Sequence, residues 1–357
     1  MTSKERVWKT FQLERADRVP LDYMGEDVTN EKMMRHFGVT TYEALLEALQ
    51  IDYRNIIPKY TGPRLHPEIP DRIVDPMWGV RKKFMDNAFG GSYDYCDFPL
   101  ETASVEEVAA YPLPNLDDFD YETVLEYCKA KKDYAISVGN PAYGDIINGT
   151  GMFRGMEQVF IDLITDDEAG ALLRKRRHEK RIGIIERTLD KCRDYVDFIW
   201  IGEDLGTQIA PIISMDLYQK HIRPFHKEYC DLAKAYGKKI MIHTCGYSSW
   251  AYDEFIKLGF DAVDTLQPEV ETMKPSQLVE RFGGRLSFHG CISTAGCLAY
   301  GTCEDMVNNV KETLDIMMPC NGYAIAPTHN IQGNTPVENI VALYETALQY
   351  GAYSRLG

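Results

Sequence analysis

The chain has 357 residues and carries 39 Lys and Arg against 54 Asp and Glu, a formal net charge of −15 at pH 7. Hydrophobic residues at 45% and charged residues at 26% are ordinary globular proportions, which excludes a disordered chain. An acidic chain is a poor binder of polyphosphate, so nucleic acid is not an expected partner. No run reaches the ~18 apolar residues of a membrane span, and the polar opening MTSKERVWKTFQLERADR predicts no signal peptide. The nine cysteines form no CxxC pair. Reduced thiols in a cytoplasmic protein are expected, most of them small apolar fillers.

In chain order, short apolar runs alternate with amphipathic helices. Candidate strands are Arg18–Met24, Tyr53–Lys59, Tyr134–Gly139, Phe198–Gly202, Lys239–His243, Ala262–Leu266, Leu286–His289 and Tyr323–Pro327. Their brevity and continuous hydrophobicity suit parallel strands buried on both faces. Gly237 is placed to end a long helix over 215–236. Glu304–Met317 presents Met306, Val307, Val310 and Leu314 on one face, and Thr335-Pro336-Val337-Glu338 reads as a capping box opening the last helix, which Gly351 closes. Eight strands alternating with helices predict an α/β fold, a single (β/α)8 TIM barrel over 1–357. The rhythm breaks at about 64–100. There Arg72–Val74, Gly79–Met85 and Ser92–Tyr95, separated by DPMW and DNAFGG turns, predict an inserted antiparallel hairpin over the barrel mouth.

A barrel of this kind does its chemistry where strands end. Those ends supply Asp22 and Tyr23, then Tyr143 and Asn148, Glu203-Asp204, His243-Thr244-Cys245, Asp264 and Gln267, His289-Gly290-Cys291, and Thr328-His329-Asn330. His243-x-Cys245 is the sharpest feature. Residues two apart in an extended segment project to the same side, so an imidazole and a thiolate can share one metal. Zinc suits such an N/S pair and, when catalytic, takes three protein ligands. His329 is the first choice for the third, ahead of Cys291 or His289. Glu203 stands as a carboxylate ligand or as a group orienting His243. His178, in KRRHEKR, and His221 and His226 read as solvated helix residues, His36 and His66 as loop or surface residues.

With these residues set out, the chain resembles the uroporphyrinogen decarboxylase-like superfamily, and within it the zinc-containing corrinoid methyltransferases more than the decarboxylase. The resemblance is carried by ADRVPLD (16–22), the segment 203–246 ending in HTCG, VDTLQP (263–268), GGRLSFHG (283–290) and GYAIAPTHNIQGNTPVENIVALYE (322–345). It implies a (β/α)8 barrel. The decarboxylase holds substrate carboxylates with an arginine-rich segment after its first strand, whereas DYMGEDVTNE (22–31) is acidic and lacks arginine. In the methyltransferase branch a His-x-Cys-Gly follows strand 5, matched here by His243 and Cys245. A cysteine is common after strand 8, where this chain has His329.

The resemblance therefore implies zinc held by His243, Cys245 and His329, with Glu203 and Asp204 in catalysis. It implies methyl transfer between a small methylated substrate and the cobalt of a cobalamin (corrinoid) carried by a partner protein docked at the barrel mouth. O-demethylation of a methoxylated aromatic is the favoured direction. Asp22, Tyr23, Trp78, Tyr143, Asn148, Gln267, His289 and Asn330 are the candidate substrate contacts. The alternatives are a zinc-free decarboxylase of the uroporphyrinogen type and a methylcobalamin:thiol methyltransferase. A monomer or a homodimer, away from membranes, is expected.

Overall fold

Seven of the eight expected strands form one parallel sheet: β1 (Tyr53–Ile56), β2 (Ala135–Gly139), β3 (Phe198–Gly202), β4 (Lys239–Thr244), β5 (Ala262–Thr265), β6 (Ser287–Ile292) and β7 (Tyr323–Pro327). Each pairs with its successor in register order, and helices fill the crossovers. The computed structural model of the protein describes residues 1–86 and 92–356. The hairpin turn expected over 86–91 lies, beyond Asp86, outside the described residues.

The first expected strand, Arg18–Met24, is reduced to isolated bridges, yet it still closes the barrel. Asp22 N–H donates to Ile325 O at 3.1 Å, Ile325 N–H to Pro20 O at 3.0 Å and Asp52 N–H to Leu21 O at 2.9 Å. The segment thus sits between β7 and β1. Two features shorten it. Pro20 has no N–H for a ladder, and the N–H of Leu21 is taken by the Asp52 carboxylate at 2.8 Å instead of a backbone carbonyl. Asp52 also receives Arg6 at 2.6 Å and Arg18 at 2.7 Å, and is fully buried. That carboxylate ties the closing segment to the first helix, Ser3–Phe11.

This helix, opened by a Thr2–Glu5 capping box, covers the base of the barrel. Its Val7 and Phe11 join Tyr53, Ala135, Phe198, Trp200, Met241, Ala262 and Ala324 in the barrel interior. A much larger apolar layer lies between the sheet and the outer helices.

Several local expectations differ. The helix over 215–236 is interrupted by a π-helical stretch at Tyr218–Ile222, because Pro224 cannot continue the regular i−4 bonding. Gly237 does end it in the left-handed conformation (φ 66°). The Thr335 side chain does not cap the last helix, whose cap residue is Pro336. The capping box lies one helix earlier, on Thr302 and Asp305. Gly351 ends the last helix at φ −83°, which any residue can adopt.

The charged face at 174–181 is partly buried: Arg174, Arg177 and His178 pack under neighbouring elements, and His178 Nε2 lies 2.8 Å from Glu228. His226 and His66 are also buried. The charge pattern reads as solvated, yet Arg177 instead donates to Thr150 Oγ1 at 3.0 Å and Asp145 O at 3.5 Å, and among the described residues only His178 of the three meets an acid of another element. Among the described residues no helix is long and apolar enough to cross a membrane.

The insertion forms a three-stranded antiparallel sheet from Ile73–Val74, Arg81–Met85 and Ser92–Tyr95. Trp78 pins its base in a separate apolar cluster with Val80, Leu100, Val108, Phe153 and Leu173.

Where β3 ends, the loop after β2 crosses so closely that a Cβ on Gly202 would lie 1.6 Å from Pro141 O. Gly202→Ala is expected to cost about 3 kcal/mol or more of unfolding free energy in urea titrations, since backbone must move. Gly237→Ala, which meets no atom within 4 Å but keeps a positive φ, should cost only about 1 kcal/mol.

Candidate metal centre

The inward-facing residues of three neighbouring strands are set side by side by the sheet register. Asp264 on β5 is the direct partner of His243 on β4 and of His289 on β6. Its two oxygens divide between them: Oδ2 lies 2.6 Å from His243 Nδ1, and Oδ1 lies 2.6 Å from His289 Nδ1. His289 Nε2 then reaches Asp22 Oδ2 on the closing segment at 3.1 Å. All four side chains are buried.

Burial alone would raise the Asp264 carboxyl, but the flanking imidazoles of His289 and His243 hold it far below the usual carboxylate range. Burial pulls both histidines down, and the carboxylates more than reverse it. His289 rises to about 9 between Asp264 and Asp22, and His243 rises well above its ordinary value beside Asp264.

With Nδ1 held by Asp264, His243 turns Nε2 toward the mouth. There Cys245 Sγ lies 3.3 Å from it. Asp204, just past β3, brings Oδ1 to 3.9 Å from the same nitrogen and accepts the Cys245 N–H at 2.9 Å. One donor atom each from Asp204, His243 and Cys245 lies within 4.8 Å of the others.

Further contacts fix the frame. Asn148 Nδ2 donates to Asp204 Oδ2 and Asp145 Oδ2, both at 3.0 Å. Gln267 Oε1 accepts the Gly246 N–H at 2.7 Å, steadying the turn after Cys245. Thr265 takes φ 92°, uncommon for a β-branched residue, and so places its hydroxyl 2.7 Å from His243 Nδ1.

These groups open into a cavity of about 560 Å³, lined also by Tyr95 and Phe98 from the insertion and by Met152, Met156, His329 and Asn330. His329 and Asn330 are exposed. His329 thus shares the cavity with His243 and Cys245 but stands outside the three-donor group, where Asp204 takes the place expected for it.

Glu203 is neither ligand nor cavity wall. It is fully buried, accepts the N–H groups of Ile146 at 2.9 Å and Ile147 at 3.0 Å, and is pushed by burial up to about 8. It anchors the loop after β2. Its neighbour His226 is 3.6 Å away.

His289 is enclosed by its two carboxylates rather than facing substrate. Tyr143, its OH donating to Arg181 O at 2.9 Å, and Trp78, stacked under Arg181 at 4.4 Å, line neither this cavity nor the one beside it. Cys291 is buried too, and is not in the donor group. Asp22 and Tyr23 line a second cavity beside the first.

Asp264 and Asp145 carry more of the site than their strand-end positions indicated. The available signal was an acid, in AVDTL, at an inward register between two histidine-bearing strands.

Comparison with known proteins bears on the fold. Residues 183–350 match the family described as uroporphyrinogen decarboxylase (URO-D). Among solved structures, a methyltransferase from Methanosarcina mazei superposes with a TM-score of 0.67 at 17% identity, covering 99% of this chain and 100% of that one. The shared fold spans the whole barrel. An IolI protein with a bound zinc (14% identity, 64% of this chain and 92% of that one, TM-score 0.35) and a D-psicose 3-epimerase (14%, 68% and 85%, TM-score 0.40) superpose too poorly to bear on the site. No curated protein matches by sequence.

The raised His289 predicts how stability responds to pH. The folded state holds a proton on His289 up to about 9, while an unfolded histidine releases it near 6.5. The stabilisation is complete below pH 6.5 and is lost as pH rises through 9. Metal-free protein should therefore melt at falling temperature between those values, with His289 adding up to about 1.4 kcal/mol per pH unit to the losses from His243 and Glu203, which also hold protons above their ordinary values. His289→Gln should flatten that slope in a pH series of melts.

Proposed function

We propose that the protein is a zinc-dependent methyltransferase that moves a methyl group between a small methylated substrate, favourably a methoxylated aromatic undergoing O-demethylation, and the cobalt of a corrinoid protein. The observation that carries this reading is the convergence of His243 Nε2, Cys245 Sγ and a carboxylate oxygen of Asp204 at the open end of the barrel. One nitrogen, one sulfur and one oxygen donor suit zinc and leave a fourth position for substrate. Zinc held there supplies a Lewis acid that stabilises negative charge on a substrate oxygen.

The chain's own residues do the rest. Asp264 fixes the His243 tautomer so that Nε2 is the metal-facing nitrogen. Asn148 and the Cys245 N–H hold Asp204 in place. Burial raises the Cys245 thiol while the neighbouring His243 opposes it, so a bound cation is what makes thiolate the stable form. Phe98, Met152 and Met156 give the cavity an apolar side for a substrate's apolar part.

A single thiolate with imidazole and carboxylate leaves the metal more electrophilic than a two-thiolate set, which supports an oxygen-bound substrate over a thiol. The metal cavity is lined by Asp94, Asp145 and Asp204 and by no lysine or arginine among the described residues. This weighs against a polycarboxylate such as a porphyrinogen. Exposed Phe84, Met85 and Tyr93 on the insertion, beside the Asp94 and Tyr95 that line the cavity, support docking of the corrinoid protein over the mouth.

Metal analysis of the purified protein should give about one zinc per chain. His243→Ala and Cys245→Ala should abolish it, Asp204→Asn should weaken zinc about 10- to 100-fold, and His329→Ala should retain it. Full zinc in Cys245→Ala would remove the basis of the reading.

Activity is tested with a reduced corrinoid protein or cob(I)alamin and methyl aryl ethers, following the visible spectrum as the methylated cobalt forms. Loss of turnover in Asp204→Asn together with zinc is expected. Turnover that is independent of zinc would overturn the assignment.

A further inference from the structure

A cleft of about 370 Å³ opens on the outer helical layer, between the helix Glu168–Cys192 and the segment around Pro224 that begins the helix Arg223–Tyr236. It shares no lining residue with either barrel cavity. Arg174 and Lys175 line it from the first helix, and Lys220 and His221 from the opposite side.

Arg174 sets this cleft apart. The residue is only 2% exposed, yet it makes no hydrogen bond and no ion pair among the described residues. A guanidinium carries five N–H donors and a permanent charge, so a buried one is ordinarily paired. The acids within electrostatic reach are already taken. Asp162 and Asp167 accept from Arg154 at 2.9 and 3.3 Å, and Asp166 accepts from Lys220 at 2.6 Å. Burial accordingly lowers Arg174 from its ordinary value in spite of them. His221 is lowered by burial and then by Arg174 itself, so positive groups crowd the same opening. Nη1 of Arg174 is sealed from solvent, but Nε and Nη2, equally without partners, retain accessible surface where the residue lines the cleft.

We propose that this cleft binds a phosphate monoester, whose dianionic head accepts from Nε and Nη2 of Arg174 between Lys175, Lys220 and His221, while its organic part rests on Pro224 and Phe225. The cations approach from two sides, which suits a tetrahedral dianion better than a planar carboxylate filling one guanidinium fork. The two glutamates of the lining are engaged elsewhere: Glu228 lies 2.8 Å from His178, and Glu179 lies 3.9 Å from Lys175. The site stands apart from the metal centre and does not depend on the methyl-transfer reading.

The test is calorimetric titration of the full-length protein with phenyl phosphate, inorganic phosphate and benzoate at one fixed ionic strength. Saturable binding of phenyl phosphate is expected, about fivefold tighter than inorganic phosphate through its apolar contact, with benzoate the weakest of the three. Arg174→Met should abolish binding of both phosphates. Lys175→Glu changes an exposed side chain, so folding is not at stake, and it should weaken phenyl phosphate about tenfold. His243→Ala, a change at the metal centre, should bind phenyl phosphate as wild type does.

The proposal is overturned if wild type binds neither phosphate, if benzoate binds tightest, or if Arg174→Met folds and keeps its affinity. Inorganic phosphate binding as tightly as phenyl phosphate would overturn the monoester. Loss of binding in His243→Ala would move the phosphate to the metal centre and overturn the cleft. Should Arg174→Met fail to fold, Lys175→Glu decides: unchanged affinity overturns the site, and a tenfold loss supports it.

Discussion

Asp264 is a carboxylate with no access to water, and the site depends on how its charge is met. An isolated buried carboxylate would take up a proton. Here two imidazoles at 2.6 Å, one on each neighbouring strand, keep it ionised. The consequence is directional. With its Nδ1 engaged inside the barrel, His243 can present only Nε2 to the mouth, where Cys245 and Asp204 converge. The second histidine, anchored in turn by Asp22, keeps Asp264 from drifting toward His243 alone. A chain of side chains across β4, β5, β6 and the closing segment therefore sets the geometry of the open end.

The same logic operates at the other end of the barrel. Asp52, wholly buried, is met by Arg6, Arg18 and the Leu21 N–H. It substitutes for the ladder that Pro20 interrupts. One buried carboxylate thus closes the sheet near the base, and another organises the donors at the top. Both positions follow from the barrel's need to seat a charge where the backbone or a metal-binding side chain must be held, and breaking either would leave an uncompensated ion.

Much of this was legible in the sequence because parallel barrel strands leave a plain signal: short apolar runs at helical intervals. Seven runs appear as strands. Arg18–Met24 was the exception, and its departure is traceable to Pro20 and to a long-range side chain, Asp52, that no local pattern announces. The pair His243 and Cys245 was readable from the two-residue period. Asp204 as their companion was harder to see than His329, because it depends on how the loop after β3 turns back so that Asp204 accepts the Cys245 N–H. The histidines in charged helical segments were misread for a related reason. A helix face rich in Arg and Lys reads as solvated until the acids of other elements, such as Glu228 against His178, are placed against it. Sequence periodicity reports which residues share a face; it does not report what that face meets.

The two adjoining cavities differ in the charge they present, and that difference bears on what can react there. Around the three-donor group the ionisable lining sets Asp94, Asp145 and Asp204 beside His243, Cys245 and the exposed His329, with no lysine or arginine among the described residues. Such a wall attracts a divalent cation and resists a polyanion. Beyond Met24 and Pro141 the lining is mostly apolar, with five aromatic residues, and Asp22, Glu43 and Asp120 stand against Arg54 and Lys59. The fit is poor for porphyrinogen carboxylates, which need cations that this mouth lacks. The barrel fold is compatible with many chemistries; the acidic lining and the N/S/O donor set are what bear on the choice among them in this chain.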